Sequence, residues 1–302
     1  MVWLRQIVFI MCHLKPISMK KFLQYMPKFF AFGIADEEIS AGVELELDAD
    51  GYRLLGAFVP TEDAPKIGFL LGREKDHYTI DFPYAWATVR ARKNVRIIFL
   101  DYDNCEEQFA VCDALILPGG AFESPERYYI DASENVPKEG FPNVRSEAYV
   151  KCLCAALAAE KPVLGICAGA QIIAAEFGGL LGRDYAAWES HIRVEHKNKN
   201  RYAHVVISRG KTPLAEAMLD SYATVCNSRH KEFVAELSPL TGLAVYAFSE
   251  DMVPEAWGSI KDKVLAVQWH PEDYALAGDK RHAGIYRWIA DEAIKYKSLA
   301  AA

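Results

Sequence analysis

The sequence predicts an α/β fold in which an open, mostly parallel sheet carries helices on both faces. From residue 66 onward, short apolar runs alternate with helical or loop segments, a pattern typical of parallel strands joined by crossover helices. The run at residues 162–166 has the length and the β-branched content of a strand buried on both faces, and an apolar helical pattern follows it directly. Glycines and reactive side chains stand where predicted strands end, which is where open α/β sheets bind their ligands.

The composition is that of an ordinary globular protein of 302 residues, 51% of them hydrophobic, with a formal net charge of −7. The length suits one large domain or two small ones. The negative charge argues against binding to nucleic acid or to an anionic membrane surface, since either needs clustered lysine and arginine. The one basic run, at residues 196–202, is typical of a solvated loop. We therefore expect a small-molecule partner.

The seven cysteines are odd in number, irregularly spaced and without a Cys-x-x-Cys pair, which indicates neither a disulfide framework nor a zinc site. His191 and His196 are five residues apart, so they do not share a helix face as paired metal ligands would. We therefore predict no metal ion and a reducing, cytoplasmic compartment. Export is the alternative, because a second start at Met19 is followed by two lysines, although the apolar stretch there is interrupted.

Residues 1–65 are predicted to form an N-terminal extension, and residues 66–302 the main domain. Apolar residues alternate over 42–59 on both sides of the turn residues 48–51, which predicts a β-hairpin. The residues before the hairpin are interpreted as an added helix or a poorly ordered leader. The polar, proline-bearing stretch at 61–65 is interpreted as a linker.

The main domain is predicted to open with alternating strands and helical or loop segments at residues 67–71, 84–93, 95–100 and 114–117. The last of these strands is followed by Gly119 and Gly120, which free backbone amides to face a ligand, although a simple turn is the alternative. The connection at residues 121–143 is unusually long and is typical of a lid or a specificity element. Later segments are predicted as a helix at 145–160, strands at 203–208 and 243–248, and a short helix at 214–219.

Cys167 stands at the turn between the buried strand at 162–166 and the helix at 168–177. A strand that turns sharply into a helix forces its central residue into a strained conformation, and small flanking residues, here Gly165 and Gly169, let the neighbouring elements approach. The helix N-terminus directs amides and the positive end of its dipole toward the sulfur, which favours the thiolate and can bind an oxyanion. The alternative is that Cys167 is a buried small hydrophobe.

A base for this thiol is predicted at the end of the last strand, residues 264–269, where His270-Pro271-Glu272 follows directly. A histidine at the carboxyl end of a strand in the same sheet can reach the sulfur. Glu272 can accept a hydrogen bond from the other ring nitrogen and so fix the tautomer. Pro271 restricts the backbone between them.

Two of these motifs resemble those of the class I glutamine amidotransferases: Gly-Ile-Cys-Ala-Gly-Ala-Gln at 165–171 and Gln-Trp-His-Pro-Glu at 268–272. The resemblance covers residues 66–290 and implies a flavodoxin-like domain that carries a Cys-His-Glu triad. Within that superfamily the chain is most similar to the γ-glutamyl-γ-aminobutyrate hydrolase branch, the peptidase C26 group. The motifs that carry this closer resemblance are Leu-Pro-Gly-Gly at 117–120, Pro125, Tyr128, Gly178-Gly179 and Val-Cys-Asn-Ser-Arg-His at 225–230.

The resemblance also implies a role for each matching position. The implied triad consists of Cys167 as nucleophile, His270 as general base and then acid, and Glu272 as the residue that orients His270. The implied oxyanion hole consists of the amides of Gly120 and Ala168, with Gly119 shaping its loop. The implied glutamyl pocket is lined by Gln171, Ser228 and His230. Two departures concern substrate choice: Ala168 stands where the branch often has arginine, and Arg229-His230-Lys231 stands where it often has a His-His pair.

The expected activity is cysteine-dependent hydrolysis of a small γ-glutamyl amide through a γ-glutamyl thioester, without a cofactor. One alternative is a glutaminase that passes ammonia to a separate synthetase, because the chain has no room for a synthetase domain of its own. Another is a non-catalytic binding protein on the same fold. A homodimer is compatible with each of these functions.

Overall fold

The structure is a computed structural model that describes residues 61–74, 77–79, 82–120, 126–130, 144–182, 202–230 and 232–301, together with the backbone of residues 43–45. The predicted N-terminal helix or leader, most of the predicted hairpin, most of the long connection at 121–143, and both His191 and His196 lie outside the described residues.

The described elements alternate between strands and helices in the first part of the main domain, and mostly strands follow residue 176 until the two last helices. The strands are β1 (Val43–Leu45), β2 (Lys66–Leu70), β3 (Gly72–Glu74), β4 (His77–Thr79), β5 (Arg96–Leu100), β6 (Ala114–Leu117), β7 (Val163–Ile166), β8 (Leu180–Gly182), β9 (His204–Ser208), β10 (Ala223–Cys226), β11 (Phe233–Glu236), β12 (Ala244–Ser249), β13 (Pro254–Ser259) and β14 (Val264–Val267). The helices are α1 (Phe82–Ala91), α2 (Cys105–Ala110), α3 (Val144–Ala158), α4 (Ala168–Glu176), α5 (Pro213–Ala217), α6 (Pro271–Leu276) and α7 (Lys280–Ala300).

The main sheet has the strand order β1-β5-β2-β6-β7-β14-β13-β12-β9-β10. The five central strands, from β5 to β14, are parallel to one another, which confirms the predicted α/β fold with an open, mostly parallel central sheet. Four antiparallel strands, β13, β12, β9 and β10, extend it beyond β14. Two of these four strands, β9 and β12, are predicted from the sequence, whereas β10 and β13 are not.

The three strands β6, β7 and β14 are apolar along their whole length because both of their faces are covered. Every residue of β6, β7 and β14 is buried. One group of helices packs α1 and α6 against α7, and another packs α2 and α4 against α3. The prediction of helices on both faces of the sheet is confirmed.

The register of the central strands brings three loops together at one edge. Gly165 of β7 lies opposite Ala266 of β14 on one side and opposite Leu117 of β6 on the other. The chain therefore leaves three neighbouring parallel strands at the same level, as it enters the Gly119 loop, the Cys167 turn and the His270 segment.

The N-terminal strand β1 pairs antiparallel with β5 at the edge of the sheet. Its residues belong to the first arm of the predicted hairpin. The second arm lies outside the described residues. The division into an extension and a main domain at residue 65 stays a prediction. Among the described helices, none combines the length and the apolar character that a bilayer crossing requires.

Candidate active site

Cys167 lies at the turn between β7 and α4 with φ of 51° and ψ of −108°. This backbone conformation is left-handed and strained for any residue with a side chain. The turn is held on both sides, since the Cys167 amide donates to the Val267 carbonyl (2.9 Å) and the Cys167 carbonyl accepts from the amide of Gln171 (3.0 Å). The chain thus forms a strained turn between a strand and a helix, an elbow with Cys167 at its apex.

Gly165 and Gly169 leave the space that this elbow needs. A Cβ atom at Gly169 would lie 2.1 Å from the carbonyl oxygen of Leu117, and one at Gly165 would lie 2.5 Å from Ile173 Cδ1. The start of α4 approaches the end of β6 this closely because residue 169 has no side chain. The loop that follows β6 is thereby set beside Cys167.

His270 follows β14 and precedes the first residue of α6. Its Nδ1 lies 2.6 Å from Glu272 Oε1, and both residues are buried. Cys167 lies close enough to His270 to contribute to the raised pKa of the histidine. Asn227 fixes the histidine backbone from both sides: its Oδ1 accepts from the His270 amide (2.9 Å), and its Nδ2 donates to the His270 carbonyl (3.0 Å). The structure therefore brings Cys167, His270 and Glu272 together in the predicted order.

The electrostatics of this group favour a charged histidine. Burial alone would lower the pKa of His270, but the negative charge of Glu272 and the electrostatic interaction with Cys167 outweigh it and raise that pKa above its ordinary value. Burial alone would raise the pKa of Glu272, whereas the charge of His270 and its hydrogen bond bring that pKa below its ordinary value. An imidazolium held in this way is the charge partner that a thiolate nucleophile uses.

Two tyrosines complete the surroundings of the histidine and the glutamate. The hydroxyl of Tyr84, on α1, lies 3.1 Å from His270 Nδ1. The hydroxyl of Tyr286, on α7, donates to Glu272 Oε2 (3.2 Å). Each carboxylate oxygen of Glu272 is therefore engaged by a different partner, and this holds the plane of the carboxylate.

Two of the predicted oxyanion residues, Gly119 and Ala168, lie next to Cys167. A Cβ atom at Gly119 would lie 2.7 Å from both His270 Cε1 and the Tyr84 hydroxyl, and 3.1 Å from Cys167 Cβ. Gly120 is exposed and has φ of 140°, a conformation that favours glycine. Ala168 begins α4 directly after Cys167. That the amides of Gly120 and Ala168 bind an oxyanion stays a prediction.

Two of the residues predicted to line a glutamyl pocket, Gln171 and His230, bind the backbone of Glu232. Its backbone carbonyl accepts one hydrogen bond from Gln171 Nε2 and another from His230 Nδ1, both at 2.7 Å. Gln171 Nε2 also donates to Gln268 Oε1 (3.1 Å). Ser228 is buried in the same loop, which follows β10. A role for these residues in substrate binding stays a prediction.

Part of the predicted lid lies against this loop. The Tyr129 hydroxyl donates to Glu232 Oε1 (2.8 Å), and the amide of Ile130 donates to the Leu181 carbonyl in β8 (2.9 Å). Residues 126–130 therefore contact both the loop that follows β10 and strand β8. The rest of the 121–143 connection lies outside the described residues.

Sequence reasoning missed several residues that shape the site. Asn227 directly precedes Ser228 in the motif at residues 225–230. Its position next to a predicted pocket residue could have indicated that it belongs to the site. Tyr84 meets His270 across 186 positions of the chain, and no local pattern marks it. In the part of the chain that the structure describes, no group of three or more His, Cys, Asp or Glu side chains is arranged to hold a metal ion.

Comparisons with known proteins agree with this architecture. The glutamine amidotransferase-like protein YvdE of Lactococcus lactis subsp. lactis is 31% identical over 172 residues, which are 56% of this chain and 70% of the relative. One subunit of the glutamine-hydrolysing GMP synthase of Thermococcus kodakarensis is 35% identical over 130 residues, which are 43% of this chain and 59% of the relative.

A solved structure shares the fold. The glutaminase domain of Trypanosoma brucei CTPS, solved with bound acivicin, matches with a TM-score of 0.53 and 18% sequence identity over 76% of this chain and 94% of that chain. At that identity the likeness shows the fold alone. The Peptidase C26 family model matches residues 76–272, which is more than half of the chain and includes the elbow and the His-Pro-Glu segment. The chain is therefore glutamine amidotransferase-like and belongs to the Peptidase C26 family.

Proposed function

We propose that this protein hydrolyses γ-glutamyl amides through a γ-glutamyl thioester on Cys167. The observation that carries the proposal is the grouping of Cys167, His270 and Glu272, in which His270 Nδ1 lies 2.6 Å from Glu272 Oε1 and Cys167 stands on a strained elbow. A nucleophile, a base and a residue that orients the base in one buried group are what covalent acyl transfer requires.

The chemistry follows from the roles of these groups. The Cys167 thiolate attacks the γ-carbonyl carbon, and the oxyanion that forms is stabilised by the amides of Gly120 and Ala168. His270 donates a proton to the departing amine as the C–N bond breaks. It then accepts a proton from the water that attacks the thioester, and glutamate leaves with the thiolate restored. These steps draw on side chains and backbone amides alone.

The substrate class is supported by the family and by the names of the relatives. Two proteins that share the fold or part of the sequence are a glutaminase domain and one subunit of a glutamine-hydrolysing synthase. A γ-glutamyl amide presents the same γ-carboxamide as glutamine, with a larger group on the nitrogen. We extend the proposal to a small γ-glutamyl substrate, no nucleic-acid or membrane partner and a cytoplasmic location, with a homodimer compatible with all of these.

A second candidate is a glutaminase that supplies ammonia to a separate synthetase. The match to the GMP synthase of Thermococcus kodakarensis favours it, since that relative is itself one subunit of a glutamine-hydrolysing enzyme. The two candidates share the thioester chemistry and differ in the amine that leaves.

The test measures glutamate release from a panel of γ-glutamyl amines and from glutamine, with wild type, Cys167→Ala and Cys154→Ala. Cys154 is an exposed cysteine on α3 and serves as the matched control. We expect cleavage of at least one amine by wild type and by Cys154→Ala, and none by Cys167→Ala. Turnover of glutamine alone would favour the ammonia-supplying function. No turnover of any compound by wild type would contradict both candidates and favour a binding protein.

A further inference from the structure

We propose that Arg145 and Tyr149 are positioning residues that lock the loop Pro118–Gly120 in the orientation that stabilises the oxyanion. The inference rests on the proposed function, because it concerns the oxyanion formed at Cys167. In this proposal Arg145 and Tyr149 act through the backbone of the loop.

Two side chains from one helix bind two consecutive carbonyls of this loop. The Tyr149 hydroxyl donates to the Pro118 carbonyl (2.6 Å), and Arg145 Nη2 donates to the Gly119 carbonyl (2.7 Å). The two side chains are four positions apart on α3 and are joined to each other, since Arg145 Nη2 and Nε also donate to the Tyr149 hydroxyl at 2.7 and 3.2 Å. We refer to this pair as the α3 clamp.

Peptide geometry converts these contacts into an orientation for the neighbouring amides. In a planar trans peptide, the carbonyl and the following N–H point in opposite directions. Because the Gly119 carbonyl points toward Arg145, the Gly120 N–H points away from α3. The Gly119 α-carbon lies beside Cys167 and His270, so the peptide whose orientation the clamp fixes is next to the reacting sulfur.

The clamp is needed because the loop has little stiffness of its own. Rotation of the peptide between Gly119 and Gly120 changes ψ of one glycine and φ of the other, and glycine tolerates both orientations. A rotated peptide would direct the Gly119 carbonyl toward the oxyanion and remove the Gly120 N–H from it. Such a carbonyl would repel the oxyanion, and the donor would be lost at the same time.

Arginine suits this position. Its planar guanidinium carries several donors in a fixed fork, so it can hold a carbonyl and a hydroxyl together. A Cβ at Gly120 would lie 2.4 Å from Arg145 Nη1, which shows how closely the guanidinium packs against the loop. A lysine would keep the charge but offers one flexible donor group in place of the fork.

The test compares two reactions of Cys167 in the full-length protein. Acylation by p-nitrophenyl acetate passes through a tetrahedral oxyanion, whereas alkylation by iodoacetamide displaces iodide directly and forms no oxyanion. The variants are Arg145→Met, Arg145→Lys and Tyr149→Phe. Lys151→Met is the control, because Lys151 is exposed on the same helix. Far-UV circular dichroism confirms that each variant is folded.

We expect Arg145→Met to lower the acylation rate by about 10- to 100-fold, somewhat less than the loss of an oxyanion donor, with alkylation changed less than about twofold. Arg145→Lys restores part of the acylation rate, and Tyr149→Phe loses less than Arg145→Met. With a γ-glutamyl substrate, the same losses appear in kcat and not in KM. If Arg145→Met does not fold, Arg145→Lys and Tyr149→Phe are judged by the same criterion.

Equal losses of acylation and alkylation would overturn the proposal, since they would indicate general disruption of the site. Unchanged acylation in a folded Arg145→Met protein would overturn it too, as would a wild-type protein that is alkylated but never acylated. Because p-nitrophenyl acetate carries no γ-glutamyl group, its reaction with Cys167 tests the clamp independently of the proposed substrate. If wild type reacts with the ester but cleaves no γ-glutamyl amide, the substrate class is wrong while the clamp is still judged by its variants.

Discussion

Glu272 Oε1 lies 2.6 Å from His270 Nδ1, and a single residue, Pro271, separates the two in sequence. The proline occupies the first position of α6, where its fixed φ suits the start of a helix. The carboxylate is thereby directed back toward the histidine that precedes the helix. With Nδ1–H donated to Glu272, the other ring nitrogen is the one available to the sulfur.

The first prediction concerns this pair. Glu272→Gln should lower kcat by about 10²- to 10⁴-fold, the range of general acid–base catalysis. A neutral amide does not stabilise the imidazolium, and its NH₂ group can impose the wrong tautomer. Steady-state kinetics on a cleaved γ-glutamyl amine checks this. A loss below fivefold would show that His270 does not depend on Glu272.

A smaller effect is expected from Tyr84→Phe. The Tyr84 hydroxyl shares His270 Nδ1 with Glu272, so its removal loosens the ring without removing the charge partner. A hydrogen bond typically contributes about 0.5–1.5 kcal/mol, which corresponds to about a two- to tenfold loss in kcat. Tyr222→Phe, at an exposed tyrosine, is the control and should have no effect. A loss as large as that of Glu272→Gln would contradict this ranking.

Gly119→Ala should inactivate the site while the protein stays folded. The added Cβ would lie 2.7 Å from His270 Cε1 and from the Tyr84 hydroxyl. We expect kcat to fall by about 10²-fold or more, as when an oxyanion donor is lost. Gly278→Ala is the control, because Gly278 has φ of 98° and open space around it. The Gly278→Ala variant should lose about 1 kcal/mol of stability and keep its kcat. Equal losses of kcat in both variants would show that the effect of Gly119→Ala does not come from the contacts of Gly119 in the site.

The stability of the protein should fall in mild acid because of His282. This residue is buried on α7, where its ring stacks on Tyr274 with a centroid distance of 4.3 Å. Burial lowers the pKa of His282 to about 4, although Asp279 opposes the shift. The unfolded chain, with a histidine pKa of about 6.5, binds the proton more tightly. The stability contributed by neutral His282 is therefore complete above about pH 6.5 and is lost as the pH falls toward 4.

Urea unfolding of wild type and His282→Gln between pH 4.5 and 7 measures this contribution. The wild-type free energy of unfolding should decrease by up to about 1.4 kcal/mol per pH unit more than that of the variant. Contributions from other titrating groups are common to both proteins and cancel in the difference. Parallel pH profiles would show that His282 does not couple to folding.

The central sheet and the Cys167, His270 and Glu272 positions could be predicted because their signals are local. A buried parallel strand has a continuous apolar run, and reactive side chains at its carboxyl end mark an edge of the sheet. Cys167 and His270 each directly follow such a run, so strand adjacency was enough to predict that they meet. The register of β7 with β14 produces this meeting.

The antiparallel strands β10 and β13 could not be predicted in the same way. β13 contains a proline, a buried glutamate and Gly258, and none of these is typical of a strand. A Cβ at Gly258 would lie 2.2 Å from the Val264 carbonyl, so the glycine is required by close packing that only the folded sheet creates. Arg145 also gives no local sign that it reaches the Gly119 loop, because its contacts cross from one element to another.

The most direct test of the central claim is intact-protein and peptide mass spectrometry of the enzyme quenched in acid during turnover of a γ-glutamyl amine. We predict an adduct with the mass of one γ-glutamyl group on the peptide that contains Cys167. It should be released by hydroxylamine and absent from Cys167→Ala. A wild-type protein that turns over the same substrate without such an adduct, or that carries it on another residue, would contradict the proposed thioester at Cys167.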